Sequence, residues 1–106
     1  MRVFAVAFAL AWLLGPASAE VASHYGMEGG PMTASGERLN VDAMTAAHRT
    51  LPFGTLVRVS YKQRSIVVKI NDRGPFIRGR DIDLTNGAAR ALGFEGVAVV
   101  RMEVLH

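Results

Sequence analysis

Residues 66–76 read Ile66-Val67-Val68-Lys69-Ile70-Asn71-Asp72-Arg73-Gly74-Pro75-Phe76, an apolar run that passes straight into a polar turn. Four of its first five residues are Ile or Val, the composition of a strand whose two faces are both covered. Asn71 and Asp72 close the run, and Gly74-Pro75 then punctuates the backbone, which puts the turn at the surface. A strand ending this way delivers the Asp72 carboxylate to a rigid, exposed corner.

Working outward, Thr55 to Tyr61 alternates Val57, Val59 and Tyr61 against Leu56, Arg58 and Ser60. With the polar link Lys62-Gln63-Arg64, this predicts a hairpin between Thr55–Tyr61 and Ser65–Ile70. Val21 to Tyr25 is a further short strand, ended by Gly26. The loop Met27 to Met32 that follows is too rich in Gly and Pro to be regular, and Ser35-Gly36 marks a turn. Asp42 is placed to cap one helical turn over Ala43 to Ala46, and Leu51-Pro52-Phe53-Gly54 is another turn. Ile82-Asp83-Leu84 reads as a strand. Thr85 caps a helix from Asn86 to Leu92, with Gly93 where a C′ glycine belongs. Gly96 to Leu105 is the last strand, with Ala98, Val100, Met102 and Val104 on one face and Val97, Val99, Arg101 and Glu103 on the other. About six short strands and one or two short helices, without repeats or linkers, predict a mostly-β fold, and a small closed barrel fits it best.

Composition narrows the setting. The 106 residues suffice for one small domain. Arg2, the uncharged run Val3 to Leu14, the break at Gly15-Pro16 and Ala17-Ser18-Ala19 predict a cleaved export signal over residues 1–19. The apolar run is too short to span a bilayer, which takes about 20 residues. The domain is therefore expected over residues 20–106, in the periplasm or cell envelope, monomeric and without a lasting membrane anchor. There is no cysteine. This excludes a lipid-modified N-terminal cysteine, a thiolate metal site and a cysteine nucleophile, and it leaves packing alone to hold a small exported domain. The basic residues are dispersed, as on a solvated surface or one facing an anionic polymer, and no nucleic-acid reading helix or aromatic-basic platform is present. His24, His48 and a carboxylate match no common zinc spacing, so neither metal nor cofactor is expected.

Besides Asp72, two proton-handling groups lie on their own punctuated segments: Glu37 in Ala34-Ser35-Gly36-Glu37 and His48 in Thr45-Ala46-Ala47-His48. Three such groups suggest a site. Each also has a structural reading: an Asx turn for Asp72, a surface ion pair with Arg38 or Arg49 for Glu37, a satisfied core histidine for His48.

The segments Ala22-Ser23-His24-Tyr25-Gly26, Thr33-Ala34-Ser35-Gly36-Glu37, Met44 to Thr55, Val68 to Phe76 and Ile82-Asp83-Leu84 occur in an order and spacing that closely resemble the rare lipoprotein A (RlpA) family of septal ring lytic transglycosylases. The resemblance covers residues 20–106. It implies a six-stranded double-psi β-barrel of the kind shared with barwin and expansins, open to a glycan groove. It also implies cleavage of the β-1,4 bond between N-acetylmuramic acid and N-acetylglucosamine in peptidoglycan strands, leaving 1,6-anhydro ends. The family's functional acid, His and Asp fall on Glu37, His48 and Asp72, and Asp83 matches an essential Asp of the expansin branch. Family members often carry Trp where this chain has His24, and an aromatic in the loop that here is Met27 to Met32. Tyr25, Phe53 and Phe76 are the aromatics left to meet sugar rings.

Such a cleavage needs an acid for the leaving oxygen and a base for the sugar's own C6 hydroxyl, and one group can serve as both in turn. Asp72 is the expected acid/base, shielded by Ile70, Phe76 and Ile77. Glu37 is the expected second carboxylate, and His48 is expected to orient either of them. Asp83 either caps the following helix with Thr85 or faces the groove. Asn71 and Arg73 shape the turn or bind the substrate's acetamido and lactyl groups, Tyr25 contacts the sugar, and Thr33 hydrogen-bonds it. The rival readings are an expansin-like module that binds wall glycan without cutting it, and a hydrolase using Glu37 and Asp72 as a pair.

Overall fold

The computed structural model describes residues 17–106, so the bulk of the expected export signal lies outside the described residues. Six strands, β1 (Ser18–Tyr25), β2 (Thr45–His48), β3 (Leu56–Tyr61), β4 (Arg64–Asp72), β5 (Ile82–Thr85) and β6 (Ala98–Leu105), close into a barrel in the order β1-β5-β2-β4-β3-β6. The pairs β1/β5 and β2/β4 are parallel and the remainder antiparallel. A closed sheet leaves no edge strand exposed and encloses one core, which suits a small domain without disulfides.

The alternation expected in β3 and β6 is the one observed: Val57, Val59, Val100 and Met102 point inward. Val68, Ile70, Ile82 and Leu84 are fully buried beside them. Each contributes about 1.5–3 kcal/mol of burial. Among the described residues one α-helix, α1 (Asn86–Leu92), packs on the barrel with Ala88, Ala89 and Leu92 buried. Thr85 caps it by accepting the Ala88 N–H, and Gly93 ends it with φ 97°, as its sequence predicts.

Three expectations change. The first strand begins at Ser18, and Ser18 and Ala19 pair with Met102 and Arg101, so the strand extends into the expected signal. The hairpin link shortens to Lys62-Gln63, because Tyr61 pairs with Arg64. The helical turn expected over Ala43 to Ala46 does not form. Its carbonyls are taken by tertiary donors: Val41 O accepts the Gly87 N–H, Ala43 O the Thr85 hydroxyl and Met44 O the Lys69 N–H. Thr45 and Ala46 therefore enter β2 instead.

Candidate active site

A groove of about 310 Å³ opens where β1, β4 and β5 end. Tyr25 comes from the end of β1, Asp72 and Arg73 from the end of β4, and Asp83 from β5; Glu28 comes from a 3-10 turn at Met27–Gly29. Parallel pairing of β1 with β5 sets Ser23 beside Asp83 and Tyr25 beside Thr85. A β-bulge at Asn71 lets Asp72 pair with Ala47 and turns its carboxylate outward.

Asp72 is held by three donors. Its Oδ1 accepts the backbone N–H of Ala34 and of Arg73, both at 2.9 Å, and its Oδ2 accepts the Tyr25 hydroxyl at 3.2 Å. The expected shield is absent: Ile70 faces the core, while Phe76 is 80% and Ile77 57% exposed. Burial, and next the Asp72 charge, push the Tyr25 phenol well above its ordinary range, so it stays a donor.

Asp83 differs. Its Oδ1 accepts the Ser23 hydroxyl at 3.0 Å, and among the described residues no donor reaches Oδ2. Burial raises its carboxyl above the usual carboxylate value, against smaller opposing contributions from Ser23 and Arg80. It faces the groove and leaves helix capping to Thr85. Glu28, whose Oε2 accepts the Gly26 N–H at 2.6 Å, is a third groove carboxylate that sequence reasoning missed. A lone Glu in a glycine loop carries no signal of its own.

The other expected residues stand around the groove. Glu37 pairs with Lys69 at 3.1 Å and accepts from Ser35 Oγ at 3.4 Å, in place of the expected Arg38 or Arg49. It does not line the groove, but its turn carries the Ala34 N–H that grips Asp72. His48 orients neither carboxylate: its Nδ1 accepts the N–H groups of Thr50 and Leu51, at 3.2 and 3.1 Å. Any ring proton is then on Nε2. Burial, and next Arg49, lower the His48 pKa, consistent with that neutral ring. Arg73 shapes the turn, donating to His48 O and Leu51 O with its guanidinium 3.9 Å from the Phe53 ring centre. Thr33 is buried, and its hydroxyl is spent on Glu37 O and Ser35. Asn71 is buried too, its backbone oxygen accepting from Ser35 and its Oδ1 unpartnered. Neither reaches the groove. His24 is structural: Nε2 accepts the Gly96 N–H, which leaves Nδ1–H to donate to Asn86 Oδ1 at 2.8 Å. A larger opening of about 730 Å³ between Tyr61, Arg64 and Leu92 contains none of the expected site residues and no carboxylate.

The family model described as lytic transglycolase matches residues 17–104, the whole barrel with its groove. The chain belongs to the lytic transglycolase family. Among curated lytic transglycolase relatives, the probable endolytic peptidoglycan transglycosylase RlpA of Nostoc is 62% identical over 92 residues, covering 80% of this chain and 25% of its own length. The Synechocystis protein of the same name is 54% identical, covering 80% and 28%. The endolytic peptidoglycan transglycosylase RlpA of Campylobacter jejuni is 42% identical, covering 87% and 35%. The chain thus spans about a quarter to a third of the relatives it matches. Two solved structures share the lytic transglycolase chain's fold. Streptomyces papain inhibitor superposes with a TM-score of 0.71 at 22% identity, covering 88% of this chain and 97% of the other. An expansin of Clavibacter michiganensis gives 0.70 at 19%, covering 86% and 51%. The double-psi barrel expected from the sequence is the fold observed.

Proposed function

We propose that this barrel is an endolytic peptidoglycan transglycosylase of the envelope, and that Asp83 is its acid and then its base. The observation that carries the reading is the pairing of two unlike carboxylates in one groove. Asp72 is locked by three donors, whereas Asp83 has an oxygen without a donor among the described residues and a burial that favours its protonated form. Groups whose surroundings differ in this way take different roles.

Protonated Asp83 gives its proton to the glycosidic oxygen as the C1–O bond breaks. The C6 hydroxyl of the same muramyl residue closes on C1, and its proton passes to the Asp83 carboxylate, which restores the starting state. Asp72, its oxygens fixed by three donors, supports the oxocarbenium-like centre from beside it. Asp83 thereby replaces Asp72 as the expected acid/base, because the Asp72 oxygens are already engaged. Glu37 and His48 act as positioning residues. The Glu37–Lys69 pair holds the turn that grips Asp72, and His48 holds the turn on which Arg73 rests.

The names of the curated relatives support peptidoglycan as the substrate and transglycosylation as the reaction, and an envelope location fits that substrate. Turnover of purified peptidoglycan by Asp83→Asn and Asp72→Asn tests the assignment. Asp83→Asn is expected to abolish cleavage, and Asp72→Asn to lower the rate while leaving it measurable. Full activity in Asp83→Asn contradicts the scheme.

A further inference from the structure

Between Asp72 at the end of β4 and Asp83 in β5, the residues from Arg73 to Asp81 form neither strand nor helix. This loop sets where the two groove carboxylates stand relative to one another. Its own apolar side chains do not anchor it, since Phe76 is 80% and Ile77 57% exposed. An irregular segment without packing loses its order to chain entropy unless its backbone is fastened elsewhere.

The fastening comes from Arg49, the residue after β2. Its Nη1 donates to Pro75 O at 3.1 Å and to Arg80 O, and its Nη2 meets Asp81 Oδ1 at 3.4 Å. One guanidinium therefore grips the loop near its start and at its end. Asp81 passes the hold on to β1: its backbone N–H donates to Val21 O and its Oδ2 accepts the Val21 N–H, both at 2.8 Å. That Val21 donor, with Glu20 and Arg49, outweighs burial and keeps the Asp81 carboxyl below its ordinary value, so it is ionised opposite Arg49 at neutral pH. Pro75 lies three residues from Asp72, and Asp81 two residues from Asp83. Arg49 itself does not line the groove.

We infer that Arg49 is a positioning residue, which sets the spacing of Asp72 and Asp83 by clamping both ends of the loop that joins them. The inference rests on the transglycosylase reading for the roles of the two carboxylates. A planar fork of N–H donors can serve three acceptors at once, which the point charge of a lysine ammonium cannot do in the same directions. With side chains 42% and 32% exposed, the Arg49–Asp81 pair adds little to the stability of the fold. Its consequence is geometric, because a small misplacement of a reacting group slows turnover steeply. Since Arg49 lies outside the groove, the loss falls on kcat and leaves KM.

The test compares Arg49→Lys and Asp81→Asn with Arg58→Gln, which breaks the Arg58–Glu103 pair between β3 and β6. Uncrosslinked peptidoglycan glycan strands give kcat and KM, and thermal melts give stability. Carbon NMR of the purified protein follows the Asp72 and Asp83 carboxyl signals, assigned with Asp72→Asn and Asp83→Asn. Arg49→Lys is expected to lower kcat about 10- to 100-fold with KM within about twofold, and to move both carboxyl signals. Asp81→Asn, which leaves the two carbonyl contacts in place, is expected to lower kcat about 2- to 5-fold. Arg58→Gln changes neither kcat nor the signals. Unmoved carboxyl signals in a folded Arg49→Lys overturn the inference, as does a rise in KM at constant kcat or an equal fall in kcat in Arg58→Gln. Where Arg49→Lys does not fold, unmoved signals in Asp81→Asn overturn it instead. If the signals follow Arg49 while the unmodified protein makes no 1,6-anhydro ends, the clamp stands and the transglycosylase reading falls.

Discussion

Tyr25 Oη stands 3.2 Å from Asp72 Oδ2, joining the end of β1 to the end of β4 within the groove. Two segments 47 residues apart thus share one hydrogen bond at the site, and its donor stays protonated because burial and the Asp72 charge both oppose ionisation. Tyr25→Phe keeps the ring and removes only the donor. Its turnover is expected to fall roughly tenfold, the equivalent of about 1.4 kcal/mol, with little change in melting temperature. Steady-state rates beside a thermal melt check this.

Asp83 couples stability and activity to pH in the same direction, and its amide variant is freed of that titration. Its folded-state pKa is raised by burial, so its favourable contribution is fully present below the unfolded value and is lost as pH rises through the folded one. Asp83→Asn keeps an acceptor for the Ser23 hydroxyl and carries no charge to desolvate. The variant should therefore melt higher than the unmodified protein at neutral pH, with the gap closing towards acid. Over the same window kcat of the unmodified protein should fall as pH rises, because the proton donor is lost. Melting and rate profiles across that range measure both.

Glu37 and Lys69 are each nearly half exposed, and such a pair contributes only about 0.2–1 kcal/mol to stability. Glu37→Gln should thus leave unfolding almost unchanged. Its effect is expected in kcat, lowered roughly tenfold as the Ala34 N–H loses its grip on Asp72, because small misplacements of a reacting group are costly. Paired denaturation and turnover data separate the two effects.

Gly87 decides a contest between helix propensity and packing. Ala in place of Gly favours a helix by about 1 kcal/mol. A Cβ at Gly87, however, would stand 2.5 Å from the Asp42 Cα, against backbone that the Gly87 N–H to Val41 O bond holds close. Overpacking of this kind costs about 1–3 kcal/mol, so packing prevails. Gly87→Ala is expected to lower the melting temperature by several degrees, which a denaturant titration or thermal scan reads directly.

The strands and the helix were legible because their signals are local: alternation at Val57 and Val59, the Thr85 cap and Gly93 at the helix end. The turn before β2 was not, since the donors that claim Val41, Ala43 and Met44 come from residues about 25 to 46 positions downstream. At the site, Asp72 and Tyr25 could be found from the strand end and the family resemblance. The proposed division of labour between Asp72 and Asp83 could not, because among the described residues it depends on which carboxylate receives three donors and which receives one. His48, Thr33 and Asn71 showed the right residue types for chemistry, yet their polar atoms are turned to the backbone, to neighbouring side chains or into the interior. Glu28 left no mark in the sequence because its partner is a backbone group.

Mass spectrometry of peptidoglycan digested by the purified protein, with Asp83→Asn beside it, tests the central claim most directly. Muropeptides with 1,6-anhydro ends, absent from the Asp83→Asn digest, are the predicted result. Reducing ends would mean that water attacks and that the groove belongs to a hydrolase. Glycan bound but uncut by the unmodified protein would contradict the enzymatic account and leave a wall-binding barrel.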